Sequence, residues 1–214
     1  MLSRSTLSIS RNLTSTARPR AAMALATKAH DAIKFGPFEV TKQVFLITPH
    51  SFALVNLKPL LPGHVLVCPL QPHRRLADLS PAETADLFSV VQRTQKMLAR
   101  RYFPDPEDRL SGSFTVAVQD GPQAGQTVPH VHVHVIPRVA RDVGKNPDAV
   151  YGMMAGEKGN VGGALWDREQ GGKGDRPVPG GGMDPIEDAD RGARSEDEMW
   201  REAEMYREDL GDMK

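Results

Sequence analysis

The sequence predicts an α+β domain: an antiparallel β-sheet with one long helix packed on it, then a flexible Gly-rich insertion and a short C-terminal helix. Three features predict it. Short apolar runs are joined by Pro/Gly turns, as in antiparallel hairpins. A capped amphipathic stretch of helical period stands between two groups of such runs. Last, His130, His132 and His134 alternate with Val131, Val133 and Val135. Period-two alternation puts the valines on one face of a strand and the imidazoles on the other, about 6–7 Å apart along the backbone.

The elements follow in order. Residues 1–30 hold Arg4, Arg11, Arg18, Arg20 and Lys28 but no acid, and are rich in Ser, Thr and Ala. That is the composition of a mitochondrial transit peptide or a disordered tail, with Met23 a plausible second start. Residues 1–33 are set apart on this ground, and the folded domain is expected over 34–155. Phe35 to Val40 and Val44 to Ile47 read as short strands around a turn. Ser51 to Asn56 and His64 to Pro69 read as a hairpin across the Lys58–Gly63 turn. Ser80 caps a helix, Pro81 suits its first position and Glu83 completes a capping box. Leu87, Val90, Val91, Thr94, Met97 and Leu98 recur at helical spacing up to about Arg101, and Pro104 and Pro106 end the helix. Phe114 to Val118 is the next strand. The loop Gln119-Asp-Gly-Pro-Gln-Ala-Gly-Gln-Thr-Val128 then leads into the histidine row, with backbone amides suited to an anion. Residues 156–193 are glycine-rich and poor in apolar residues, so a flexible insertion is expected. Ser195 and Glu198 form a second capping box. Met199, Ala203, Tyr206 and Leu210 make a stripe on a helix over 194–214 that packs back on the domain.

Composition narrows the function. The 214 residues balance 27 basic against 27 acidic side chains. No broad basic patch speaks for a nucleic-acid partner, and no stretch approaches the length of a membrane span. A lone Cys68 allows neither an intramolecular disulfide nor a Cys-rich metal site, and its apolar setting suggests a buried, inert thiol.

Three histidines in strict alternation have three explanations. They are a chance feature of an exposed sheet face, a zinc site, or a nucleophilic centre acting on phosphorus. For zinc, the third ring reaches a shared ion poorly, and no Asp, Glu or Cys stands at ligand spacing. For phosphorus, a neutral imidazole is a good nucleophile near pH 7, and protonated neighbours can bind phosphate oxygens. His64 after the Pro62-Gly63 turn is a further cationic donor.

The pattern His130-Val-His-Val-His-Val135 resembles the histidine triad that names the HIT superfamily. With Gln119 to Val128, Ser51 to Asn56 and Pro62 to Pro69, the chain resembles the Fhit branch, the dinucleoside triphosphate hydrolases. The resemblance runs over about 34–155 and resumes at Arg194–Met199. It implies that His132 is the nucleophile, that His134 binds phosphate and that His130 supports the geometry. It places Gln126 near the bridging or leaving oxygen and His64 near the phosphates. Gly125, Gln126, Thr127 and Val128 become nucleotide contacts, and Gln119 a substrate contact. Asn56 becomes a ribose ligand; its other reading is a turn-capping Asn. Tyr151 becomes part of a mobile loop beside the site. His50 and His73 are bystanders, and Leu54 and Leu66 could floor a base pocket or simply be core.

The resemblance also implies a divalent cation, Mg²⁺ or Mn²⁺, arriving with a dinucleoside polyphosphate, no resident metal, and a homodimer. The expected activity is cleavage of diadenosine triphosphate to AMP and ADP through a covalent AMP–histidine. A nucleoside phosphoramidase and a nucleotide-binding signalling protein with slow turnover stay open. The expected location is cytoplasm or nucleus, with mitochondrial import if residues 1–30 act as a transit peptide. The chain departs from the branch around Gly36–Val40, where Phe38 replaces an expected histidine.

Overall fold

The structure, a computed structural model, describes residues 32–105, 107–108, 110–171, 174–179 and 193–213. The expected transit peptide, Pro106 and residues 180–192 of the expected insertion lie outside the described residues.

A small hairpin of β1 (Lys34–Phe35) and β2 (Phe38–Glu39) precedes a five-stranded sheet. The sheet contains β3 (Val44–Ile47), β4 (Ser51–Val55), β5 (Val65–Pro69), β6 (Ser113–Val118) and β7 (Val133–Arg138). Its order is β3-β4-β5-β7-β6, and every neighbouring pair is antiparallel. The predicted α+β class is the observed one.

Helix α1 (Pro81–Tyr102) begins where the capping box places it. The Ser80 hydroxyl accepts the Glu83 amide, and the Glu83 carboxylate accepts the Ser80 amide. Leu87, Val90, Val91, Thr94, Met97 and Leu98 are its buried stripe. They share one apolar cluster with Val133 and Val135 of β7, except that Thr94 is polar. Ile136 belongs to a different cluster, with Leu60, Leu61, Val150 and Met154. The alternation of β7 therefore divides two packing layers: the valines meet α1, and the side of His134 and Ile136 meets the segment after Arg138.

That segment corrects an expectation. Residues 156–171 are not a loose glycine-rich insertion. Helix α2 (Ala149–Ala155), a 3₁₀ turn at Glu157–Gly159 and helix α3 (Val161–Gln170) run through this region. Val161, Ala164 and Leu165 are buried in the main cluster. Asn160 caps α3 through its side-chain oxygen on the Gly163 amide. Glycine weakens a helix through backbone entropy, but a methyl group on Gly162 would overlap the Thr127 carbonyl. Gly162 is what lets α3 lie directly on the loop before the histidines.

Helix α4 (Glu196–Gly211) has the predicted Ser195/Glu198 capping box, and Met199, Ala203, Tyr206 and Leu210 are buried. Tyr206 meets the Tyr102 hydroxyl at 2.7 Å. Arg101 grips Asp209 with two hydrogen bonds, 2.6 and 2.7 Å. Just before α4, Arg194 donates to the Asn56 carbonyl. Among the described residues no helix is long and apolar enough to cross a membrane.

Candidate active site

The alternation predicts one strand through all three histidines, but the ladder starts at Val133. Two local bonds explain the late start. The His130 amide turns back to the Val128 carbonyl at 2.8 Å, closing a tight turn at Pro129. The Val131 amide goes to the His73 carbonyl at 2.8 Å instead of to a neighbouring strand. His134 alone of the three sits in regular sheet, opposite Leu66 of β5 and Ala117 of β6.

The three rings nevertheless gather with His64 under the fold's second layer. His130, His132, His134 and His64 are 0%, 3%, 1% and 2% exposed. The His132 and His134 ring centres are 5.0 Å apart, and those of His64 and His134 are 5.2 Å apart. Phe35 of the N-terminal hairpin stands edge-on to His132 at 5.1 Å.

Hydrogen bonds from backbone groups fix the protonation of three rings directly and of His134 through His64, because a neutral imidazole has one donor and one acceptor nitrogen. The Gly36 amide donates to His130 Nδ1 at 3.0 Å, so His130 carries its proton on Nε2 and gives it to the Pro69 carbonyl at 2.8 Å. Gly36 adopts φ 59° to aim that amide, a left-handed conformation suited to glycine. The His130 carbonyl in turn receives the Nδ1–H of His132 at 2.8 Å. This holds the proton of His132 on Nδ1 and leaves Nε2 as a bare lone pair.

A second chain orders the other two rings. The Leu60 amide donates to His64 Nδ1 at 3.1 Å, which puts the proton of His64 on Nε2. His64 Nε2–H donates to His134 Nδ1 at 3.0 Å. His134 must then carry its proton on Nε2, and that buried nitrogen has no hydrogen-bond partner among the described residues. A buried donor left unpaired costs about 1–3 kcal/mol. The site therefore presents one free lone pair, on His132, and one unsatisfied N–H, on His134, on adjacent rings.

Burial works against cationic imidazoles in the free protein. Desolvation, with the neighbouring His132 and Arg194 charges, holds His64 down at about 3. Desolvation lowers His130 to about 4 against the raising effect of its Pro69 bond. His132 and His134 are lowered too, first by burial. All four rings are neutral near pH 7. In the free protein His64 orients His134 through the hydrogen bond from its Nε2–H.

The loop 119–128 departs from expectation in the same direction. The amides of Gly121, Ala124, Gly125 and Gln126 donate to carbonyls within the loop, so they are not free to cradle an anion. The Gln126 side chain donates to the Arg74 carbonyl at 3.2 Å. Gln119 is buried against Gly125. Thr127 Oγ1 accepts the Gly162 amide of α3 at 3.1 Å, and Val128 is buried beside Gly36.

Asn56 sits against the His64 ring, with its Oδ1 taking the Lys58 amide at 3.0 Å. Its turn-capping role is occupied in this state, and its amide touches His64, not open space. Tyr151 lies on α2 and is 55% exposed. Phe38 is buried in the main apolar cluster, as are Leu54 and Leu66. His50 and His73 stay outside the ring group; His73 pairs with Glu83 at 2.9 Å. Cys68 is buried, with its thiol pushed up by desolvation.

The donor set does not fit a resident metal. Of the nitrogens on these rings, those of His130, His64 Nδ1 and Nε2, His132 Nδ1 and His134 Nδ1 are engaged inside the protein. Among the described residues no group of three or more His, Cys, Asp or Glu is placed to hold an ion.

Sequence reasoning misses Gly36, Leu60 and Pro69, because each acts through a backbone group with no residue-type signature. It also misses Phe35, read only as part of a strand.

Fold and site together define a protein of histidine chemistry: an antiparallel sheet presenting a neutral imidazole of fixed tautomer beside a second ring that offers a proton. Residues 37–141 match the HIT domain family. The chain is 40% identical over 174 residues to a fission yeast (Schizosaccharomyces pombe) asymmetrical bis(5'-nucleosyl)-tetraphosphatase, covering 81% of this chain and 91% of that protein. It is 46% identical over 121 residues to the Arabidopsis thaliana bifunctional bis(5'-adenosyl)-triphosphatase/adenylylsulfatase FHIT, covering 56% of this chain and 63% of that one. The crystal structure of Plasmodium falciparum diadenosine triphosphate hydrolase with cyclomarin A superposes with a TM-score of 0.54 at 25% identity, covering 86% of this chain and 88% of that chain. The chain belongs to the HIT family, and it is Fhit-like within it.

Proposed function

We propose that this protein hydrolyses dinucleoside polyphosphates, preferably diadenosine triphosphate to AMP and ADP, by two nucleotidyl transfers through His132. The observation that carries the reading is the tautomer of His132. Its proton is held by the His130 carbonyl, and its Nε2 lone pair is free to attack.

In the first step His132 Nε2 bonds to the α-phosphorus. The bond from that phosphorus to the bridging oxygen breaks, and ADP leaves with the electron pair. His134 Nε2–H donates to a non-bridging oxygen on the α-phosphorus, satisfying the atom left unpaired in the free protein. The Nδ1–H bond to His130 stabilises the positive charge that His132 gains. Gln126 turns from the Arg74 carbonyl to the bridging oxygen. In the second step a water oxygen bonds to the same phosphorus and loses a proton to solvent, while the P–N bond breaks, its electron pair returns to His132 Nε2, and AMP departs. Mg²⁺ or Mn²⁺ comes as part of the substrate, bound to its phosphates. The relatives' names support the substrate class: bis(5'-nucleosyl)-tetraphosphatase and bis(5'-adenosyl)-triphosphatase.

The four rings are almost wholly buried, and α3 rests on Thr127 of the loop before them. We also propose a homodimer through the β6 side of the sheet. β6 is an edge strand, Val116 on it is 42% exposed, and Phe88 on α1 is 40% exposed. Light scattering on the purified protein tests this; a monomer mass at micromolar concentration contradicts it.

The test of the activity is product analysis, with Mg²⁺, on diadenosine triphosphate and adenosine phosphoramidate in parallel. The expected products of the first are AMP and ADP, with turnover down at least about 10⁴-fold in His132→Ala and nucleotide binding still measurable. Preference for the phosphoramidate would keep the histidine chemistry and replace the substrate class. Turnover surviving in His132→Ala would remove it as the nucleophile.

A further inference from the structure

We propose that Arg74 and Arg75 form the subsite for the phosphates of the departing nucleotide, a contact that contributes more as the departing phosphate chain lengthens. The inference rests on the dinucleoside polyphosphate reading above.

It starts from a charge that the site leaves unmet. A dinucleoside polyphosphate carries several negative charges. The four imidazoles are neutral, and four amides of the glycine loop are spent inside the loop. A cation bound to the substrate offsets part of that charge, and the protein's own positive groups must lie further out.

The segment His73-Arg74-Arg75 is where they lie. It is stitched to the site at three points. The His73 carbonyl takes the amide of Val131, the residue between His130 and His132. The Arg74 carbonyl takes the side-chain amide of Gln126, the group assigned to the bridging oxygen. The Arg75 guanidinium donates through Nη1 to the Asp120 carbonyl. That guanidinium occupies the space a Cβ of Gly121 would need, so the charge is seated on the loop itself.

Both guanidiniums keep donors free. Among the described residues Arg74 makes no side-chain bond and neither arginine has an ion-pair partner, whereas Arg101, Arg138, Arg176, Arg194 and Arg207 are each paired with a carboxylate. The two nearby acids face backbone amides: Asp120 Oδ1 takes the Leu76 amide at 2.9 Å and Asp78 Oδ2 the Arg75 amide at 3.1 Å. Glu83 is engaged by His73 and Ser80.

A leaving group departs opposite the attacking nitrogen. From a phosphorus on His132, past Gln126, its phosphates run onto Arg74 and Arg75. Guanidinium suits them because it is always charged and can bond two phosphate oxygens at once. A longer chain offers more charge to the pair, and the contacts are exposed, so their effect is modest and sensitive to salt.

The experiment compares wild type, Arg74→Ala and Arg74→Lys on three substrates: diadenosine triphosphate, diadenosine tetraphosphate and the p-nitrophenyl ester of AMP, whose leaving group has no phosphate. Arg74 is the residue to vary because its side chain holds no other group in place. Arg74→Ala should lower kcat/KM roughly fivefold on the tetraphosphate, less on the triphosphate and not at all on the ester. The loss should shrink with added salt, and Arg74→Lys should recover part of it. An equal loss on all three substrates, or no loss on any, would overturn the subsite while leaving the hydrolase reading intact. Wild type that cleaves the ester but neither dinucleotide would overturn that reading and the subsite with it.

Discussion

Strand β7 serves two layers that are built by different rules. On one side Val133 and Val135 enter the apolar cluster under α1. On the other, His134 joins His64, His132 and His130; three of these rings are tied to backbone groups and His134 to the His64 ring. The valine side needs volume and the absence of polar atoms. The histidine side needs orientation, and most of its contacts exist to place two protons and leave one lone pair bare. An apolar layer tolerates repacking, but an imidazole layer is correct only when every tautomer agrees.

The largest break comes from writing the rule of one side onto the other. Val133→Asn would bury an amide with no partner beneath α1 and lose the valine's own burial. The expected cost is about 4 kcal/mol in urea unfolding, with the remaining folded protein still active. A cost under about 1 kcal/mol would mean that the two sides are not so different.

His64→Leu tests the other side. It keeps the volume roughly and removes the donor to His134 Nδ1, so the His134 proton is no longer directed to Nε2. The expected loss in kcat is roughly 10- to 100-fold, the size seen when a group that orients an imidazole is removed. KM should change less. A pure KM effect would show that His64 binds substrate directly and does not orient His134.

pH separates the sides without mutation. The histidines have folded pKa values below the ordinary 6.5, about 3 for His64 and about 4 for His130. The unfolded chain therefore binds more protons across that interval. Stability is whole above about pH 6.5 and is lost as pH falls toward 4. The urea midpoint should decline steadily below pH 6.5, and less steeply in His64→Leu. A midpoint flat from pH 7 to 4 would contradict the burial of neutral rings. Because His132 is lowered as well, kcat should hold as pH passes below 6.5.

The smallest expected effect is Gly162→Ala. Its methyl group would press on the Thr127 carbonyl and lift α3 from the loop. About 1 kcal/mol of stability should be lost, with easier substrate exchange. No change in either would mean that α3 does not bear on the site.

How much of this the sequence shows follows the same division. Alternation marks the strand, and the Ser80/Glu83 and Ser195/Glu198 boxes mark two helices, because those signals live in side chains. The triad is legible for the same reason. The tautomer chains are not, since the Gly36 and Leu60 amides and the Pro69 carbonyl leave no mark on residue type. Gly162 and Gly163 mislead outright. In composition they suggest a loop, yet the bare backbone of Gly162 lets a helix reach Thr127, and that of Gly163 lets the Asn160 cap close.

The measurement that goes straight to the central claim is mapping of the covalent intermediate. The protein would be mixed with diadenosine triphosphate and Mg²⁺, quenched in alkaline denaturant within the first turnover, and its peptides weighed. An AMP adduct on His132, formed and lost at rates consistent with turnover, is the predicted result. Steady hydrolysis with no adduct, or an adduct on His130 or His134, would contradict the account.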